Sequence, residues 1–147
     1  MTKFLLSLHV LAAIVAIGPV TVAASMFPAV TRRVLAPSAT VGDRARLALL
    51  HRICRVYSLI GVAVPVFGLA TASSLGVLGD AWLITSIGLT AVAALLLGLV
   101  ILPGQERTLA GTPTPPARLG MVTGVFNLLW ATVTVLMIIR PGSTTGS

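Results

Sequence analysis

The sequence predicts an all-α fold, a transmembrane four-helix bundle of up-down antiparallel design with both termini on the outer side. Three observations carry that expectation. First, the 147 residues include ten Lys or Arg and three Asp or Glu, so 9% are charged, against about 25% in a soluble domain. With 56% hydrophobic residues and a mean hydropathy of +1.06, the chain cannot cover a water-facing surface with polar groups. Second, the charges leave four charge-free runs, 4–31, 56–79, 81–105 and 119–139. Each meets the roughly 20 residues that a helix needs to cross about 30 Å of hydrocarbon. Third, the runs are continuously apolar. They lack the alternation of barrel strands, and an open strand in lipid would leave its backbone unpaired.

The first span is read over about 4–26. Lys3 followed by an apolar stretch and Val22-Ala23-Ala24 has the outline of a secretory signal. The apolar run continues to Val30, beyond a signal core, so an uncleaved helix is the expectation. The second span is read over about 53–76, and Gly76-Val77-Leu78-Gly79-Asp80 is a turn short enough to force a helical hairpin. The third covers about 82–102, with Pro103-Gly104 as its stop. Gly111-Thr112-Pro113-Thr114-Pro115-Pro116 reads as loop, because its prolines remove backbone donors. The fourth covers about 119–139 and stops at Pro141-Gly142, followed by a small polar tail to Ser147 that is expected to fray. One domain spans 1–147.

Orientation follows from the arginines. Arg32, Arg33, Arg44, Arg46, Arg52 and Arg55 face one acid, Asp43, in the segment 29–55. Arg107 and Arg118 join them from the next loop on the same side. Lys3 and Arg140 are left for the other. Positive loops stay in the cytoplasm, so the termini are expected outside, in a bacterial cytoplasmic membrane. The net charge of +7 then marks affinity for anionic headgroups, with Arg32, Arg33, Arg44 and Arg46 as the contacts, rather than for nucleic acid.

Function is sought among polar residues within the spans, where they are costly. No Asp, Glu, Lys or Arg lies mid-span, which disfavours proton- or cation-coupled transport. His9 lies inside the first span, with Ala13 and Ala16 on its face. It is either a histidine bonded to a neighbouring helix or a cofactor ligand. His51 begins the second span at the opposite depth, roughly 20 Å away by helix rise, so the two cannot clasp one iron. Cys54 is the only cysteine, which excludes an internal disulfide and paired-thiol chemistry. Two stripes of small and polar residues suit close helix packing. Gly120, Gly124, Asn127, Ala131 and Thr134 share one face of the fourth helix. Cys54, Ser58, Gly61, Pro65, Gly68 and Ala72 share one face of the second. Each stripe either packs internally or meets another copy or a larger membrane protein. No phosphate-binding loop, zinc-protease motif, nucleophile elbow or metal-spaced Cys/His cluster is present.

Leu8-His9-Val10-Leu11-Ala12-Ala13, followed by Gly18 and Met26-Phe27-Pro28, and His51-Arg52-Ile53-Cys54-Arg55-Val56-Tyr57 resemble an uncharacterised bacterial family of four-helix integral membrane proteins. The opening is more distantly similar to CopD-type copper-resistance proteins and HemJ-type protoporphyrinogen oxidases. In the latter a first-helix histidine binds haem, and that resemblance carries over to His9 alone.

The sequence therefore points to a small multi-pass membrane protein without visible catalytic apparatus, expected to be a non-enzymatic membrane or accessory subunit with no cofactor. The alternative is a haem- or porphyrin-handling redox protein using His9. A third reading is a small permease or lipid-handling protein with Asn127 as a contact.

Overall fold

The computed structural model describes residues 1–142; the tail 143–147, expected to fray, lies outside the described residues. The described chain is helical, with no strand among those residues. Four helical runs, Thr2–Leu35, Val41–Leu75, Ala81–Leu109 and Pro116–Ile139, are long and apolar enough to cross a membrane. At most 28% of the most apolar window of any of them is buried inside the protein. The remaining apolar surface, including Ile14, Leu59, Leu99 and Leu128, faces outward. That is the inverse of a water-soluble bundle, and hydrocarbon is the solvent it suits.

The helices exceed the apolar runs that announce them. α1 (Thr2–Leu35) continues through Pro28 to carry Arg32 and Arg33 in its last turn, where the helix dipole favours positive charge. α2 (Val41–Ile60) begins at a capping box. Thr40 Oγ1 accepts from the Asp43 N–H, and the Asp43 carboxylate accepts from the Thr40 N–H. Arg44 and Arg46 are thus on a helix. The basic 29–55 segment is two helix ends joined by a short turn, rather than a long loop.

α3 (Ala63–Leu75) continues α2 after a break at Gly61 and Val62. Pro65 causes it. With no N–H, Pro65 cannot bond the Gly61 carbonyl, which accepts instead from the Val64 N–H at 3.1 Å. α3 ends at Gly76 in the left-handed region, φ 70°, a conformation that glycine adopts without penalty.

The expected stop at Pro103-Gly104 is overturned. α4 (Ala81–Leu96) passes into a π-helical segment, Leu97–Ile101, and then into α5 (Leu102–Leu109). Within the π turn Leu102 N–H bonds the Leu97 carbonyl. The extra residue in the turn precedes Pro103, which has no N–H to bond the preceding turn, and the helix continues past it. α6 (Pro116–Ile139) starts on a proline, whose missing donor costs nothing in a first turn.

α1 is the central helix, touching α2, α3 and α6, while α4 packs on α6. Contacts between α1 and the α2–α3 run proceed in opposite order along the two segments: Thr2 meets Ser74, His9 meets Val64, and Val20 meets Cys54. The inward face of α1 is made of Ala16, Val20, Ala23, Ala24, Phe27, Val30 and Thr31. Its alanines let neighbouring backbones approach. The main core gathers Val20, Ala23, Ala24, Phe27 and Val30 with Leu47, Leu50, Cys54, Ala93, Ile101, Leu119 and Phe126. A smaller cluster of Ala72, Trp82 and Leu83 closes the other end.

Candidate functional site

His9 faces α3. Its Nδ1 lies 2.8 Å from the Val64 carbonyl oxygen. A carbonyl only accepts, so Nδ1 carries the proton and donates. The ring occupies the place where a side chain on Gly68 would stand. A Cβ there would lie 2.9 Å from His9 Cε1 and 3.1 Å from Nδ1. His9 and Gly68, singled out separately in the sequence, form one contact. His51 lies on the same helical run as Val64, about 20 Å farther along by helix rise.

At the opposite depth, three polar side chains meet. His51 Nδ1 lies 3.0 Å from Gln105 Oε1 and therefore donates to it. Gln105 Nε2 donates to Cys54 Sγ at 3.6 Å. Glu106 stands outside the pair, 3.9 Å from His51 Nε2. Gln105 is 1% exposed and Cys54 is fully buried. This node ties α2 to α5, and both faces of the Gln105 amide are satisfied in it. Gln105 does not stand out in the sequence because it follows Pro103-Gly104, a pair that reads as a helix stop and places it in a loop. The available signal was that Gln105 is the chain's only glutamine and closes a charge-free run. Among the described residues, no group of three or more His, Cys, Asp and Glu side chains converges.

The two small-residue stripes meet different fates. On α2–α3, Cys54 and Ala72 are buried, and a Cβ at Gly61 would touch the Ala16 side chain at 3.8 Å. Cys54, Gly61 and Gly68 thus lie against α1, whereas Ala72 packs with Trp82 and Leu83 and Pro65 is exposed. On α6 the buried face is Leu119, Thr123, Phe126 and Val133, one step around the helix from the other stripe. Gly120, Ala131 and Thr134 are exposed. Gly124 has nothing within 4 Å of where a Cβ would stand, and Gly120 meets only Pro28 Cγ, at 3.9 Å. Asn127 borders this open face and donates from Nδ2 to Ser25 Oγ at 3.1 Å. Its Oδ1, like Trp130 Nε1 one turn on, is buried without a protein partner.

All eight arginines of the basic end are exposed. Among the described residues, the only carboxylate within ion-pair distance of any of them is Asp43, 3.9 Å from Arg46. Arg32 and Arg33 close α1, and Arg44 and Arg46 open α2. Arg44 borders a groove of about 310 Å3 floored by Val34, Leu35, Leu47 and Leu109. Arg107 and Arg118 border a smaller notch of about 70 Å3. At the other end, Arg140 stacks 5.5 Å from the Trp82 ring centroid, and Trp82 Nε1 donates to Asp80 Oδ2 at 3.0 Å.

Compared with protein-family models, with curated proteins and with solved structures, the chain matches none of them.

Proposed function

We propose that this chain is a non-enzymatic accessory subunit of the bacterial cytoplasmic membrane, docking through α6 onto a transmembrane helix of a larger membrane protein. Its four spans run up and down with both termini outside. The imbalance of eight basic residues against two supports that orientation. Arg32, Arg33, Arg44 and Arg46 rest on anionic headgroups.

The observation that carries this reading is the unequal fate of the two stripes. Cys54, Gly61 and Gly68 of the α2–α3 stripe meet α1, whereas on α6 Gly120 touches only Pro28, Gly124 has nothing within 4 Å of where a Cβ would stand, and Ala131 and Thr134 are exposed. Small residues on an outward face give a partner backbone close approach, and close packing is what drives helix association in lipid. Purification in a gentle detergent, with mass spectrometry of what accompanies the protein, tests it. A stoichiometric membrane partner lost in Gly120→Leu/Gly124→Leu is expected. A monomer without companions overturns the reading, and recovery of a second copy alone replaces the partner by self-association.

A second reading is favoured by one feature of His9. Its Nδ1–H is engaged by a backbone carbonyl, and such a bond fixes the ring of a histidine whose other nitrogen ligates a metal. On that reading the protein handles haem through His9. A Soret band in protein from haem-supplied cells, abolished in His9→Ala, would support it. A featureless visible spectrum would sink it.

A further inference from the structure

The notch beside α5 joins two kinds of surface. Arg107, on α5, and Arg118, in the first turns of α6, line it together with Thr114 and Gly104. Leu99, Val100, Leu119 and Val122 form the rest of its wall. Arg107 lies seven residues beyond Val100 on one helical run, about 10 Å by helix rise. The aliphatic wall therefore reaches into the span while the guanidinium groups stay at its mouth. Leu99 is 67% exposed, so the notch opens sideways, towards lipid. Neither arginine is within ion-pair distance of a carboxylate among the described residues.

Two backbone features shape the notch. The π turn at Leu97–Ile101 displaces Leu99 and Val100 from the path of a regular helix. Gly104 gives Leu119 room, since a Cβ there would stand 2.9 Å from Leu119 Cδ2. A volume of about 70 Å3 admits several waters' worth of polar group, a size that suits a phosphate.

We infer that this notch is a binding site for one anionic phospholipid, with the phosphate between Arg107 and Arg118 and an acyl chain along Leu99, Val100 and Val122. Paired cationic side chains beside an apolar wall at the cytoplasmic interface recognise that chemistry: guanidinium forks match phosphate oxygens, and basic pockets between spans hold anionic headgroups. The site differs from the diffuse basic surface of Arg32, Arg33, Arg44 and Arg46 in having a wall for the chain. The inference rests on the membrane-spanning reading.

The test is native mass spectrometry of detergent-purified protein supplied with phosphatidylglycerol or phosphatidylcholine. Wild type is expected to retain one phosphatidylglycerol in preference to phosphatidylcholine. Arg107→Gln/Arg118→Gln is expected to lower that retention about ten-fold or more, from the loss of two cationic contacts. Arg52→Gln/Arg55→Gln, two exposed arginines that do not line the notch, is expected to leave it unchanged. Equal losses in the two double variants, or none in the first, overturn the site. Val122→Phe, which fills the wall and spares both arginines, is expected to weaken lipid retention. Unchanged retention in that variant removes the acyl chain from the proposal. Inorganic phosphate at tens of millimolar is expected not to displace the lipid. Displacement would make the notch a phosphate site and overturn the lipid assignment. Carbonate washing separates the two levels of failure. Extraction of wild type from membranes sinks the spanning reading, whereas lost lipid preference in carbonate-resistant protein sinks only the notch.

Discussion

Gly68 has no side chain because the His9 ring occupies that space, with Cε1 2.9 Å from where a Cβ would be. Adding a methyl group must push the ring away and break its bond to the Val64 carbonyl. Gly68→Ala is expected to destabilise the protein by about 1–3 kcal/mol, the usual cost of overpacking. In His9→Ala the space is empty, so the two changes together are expected to cost less than their sum. Thermal unfolding of the four proteins in detergent measures the coupling, and strict additivity would mean that the contact does not hold the helices. Gln105 is the matching case at the other depth. Gln105→Leu leaves the His51 Nδ1–H without its acceptor and removes the donor to Cys54. A loss of about 1–3 kcal/mol is expected, as for a buried polar group left unpaired. An unchanged melting temperature would show that water serves the histidine equally well.

Elements here are governed by their interruptions. Pro65 breaks α2 from α3 without ending the helical run, and the π turn carries the third run past Pro103 to Leu109. Proline in water usually ends a helix, but in lipid the freed carbonyl must be satisfied locally, so the chain bends its register and continues. That explains why Pro103-Gly104 looks like a terminus in the sequence and is not one. The start of α2 depends on one short motif. Thr40→Ala removes the cap on the Asp43 N–H, and a local cost of about 0.5–2 kcal/mol is expected. Hydrogen exchange should quicken at the amides of Gly42, Asp43 and Arg44 and stay unchanged in α3. Exchange that quickened throughout would show that the cap supports the whole bundle.

On the scale of the molecule, the buried interior is small and the outward surface apolar, so lipid completes the packing that a soluble protein would make for itself. The open α6 face belongs to this scale. Because Gly124 has no neighbour within 4 Å and Gly120 only Pro28, Gly120→Leu/Gly124→Leu is expected to leave monomer stability unchanged while abolishing association. A destabilised monomer would place the stripe inside the fold after all. Orientation is tested by cysteine labelling, helped by the burial of Cys54, which keeps the native thiol from reacting. A membrane-impermeant maleimide is expected to label Leu78→Cys in intact cells, and Thr112→Cys only after permeabilisation. The opposite pattern would invert the protein in the membrane.

The sequence by itself determined the number of helical runs and their apolar character. Run length and the cost of burying charge are one-dimensional properties, and hydrocarbon permits few exceptions to them. It also marked His9, Gly61, Gly68, Gly120, Gly124 and Asn127 as the residues to watch. Only the tertiary structure decided which of them meet. Facing depends on rotational phase about each helix axis, and that phase is reset by the break at Gly61 and by the extra residue of the π turn, neither of which changes composition. This is why Gly68 could be paired with His9, and Gln105 brought between His51 and Cys54, only once the helices were seen together. The two small-residue stripes look alike as sequence. They differ because α1 fills one and leaves the other open.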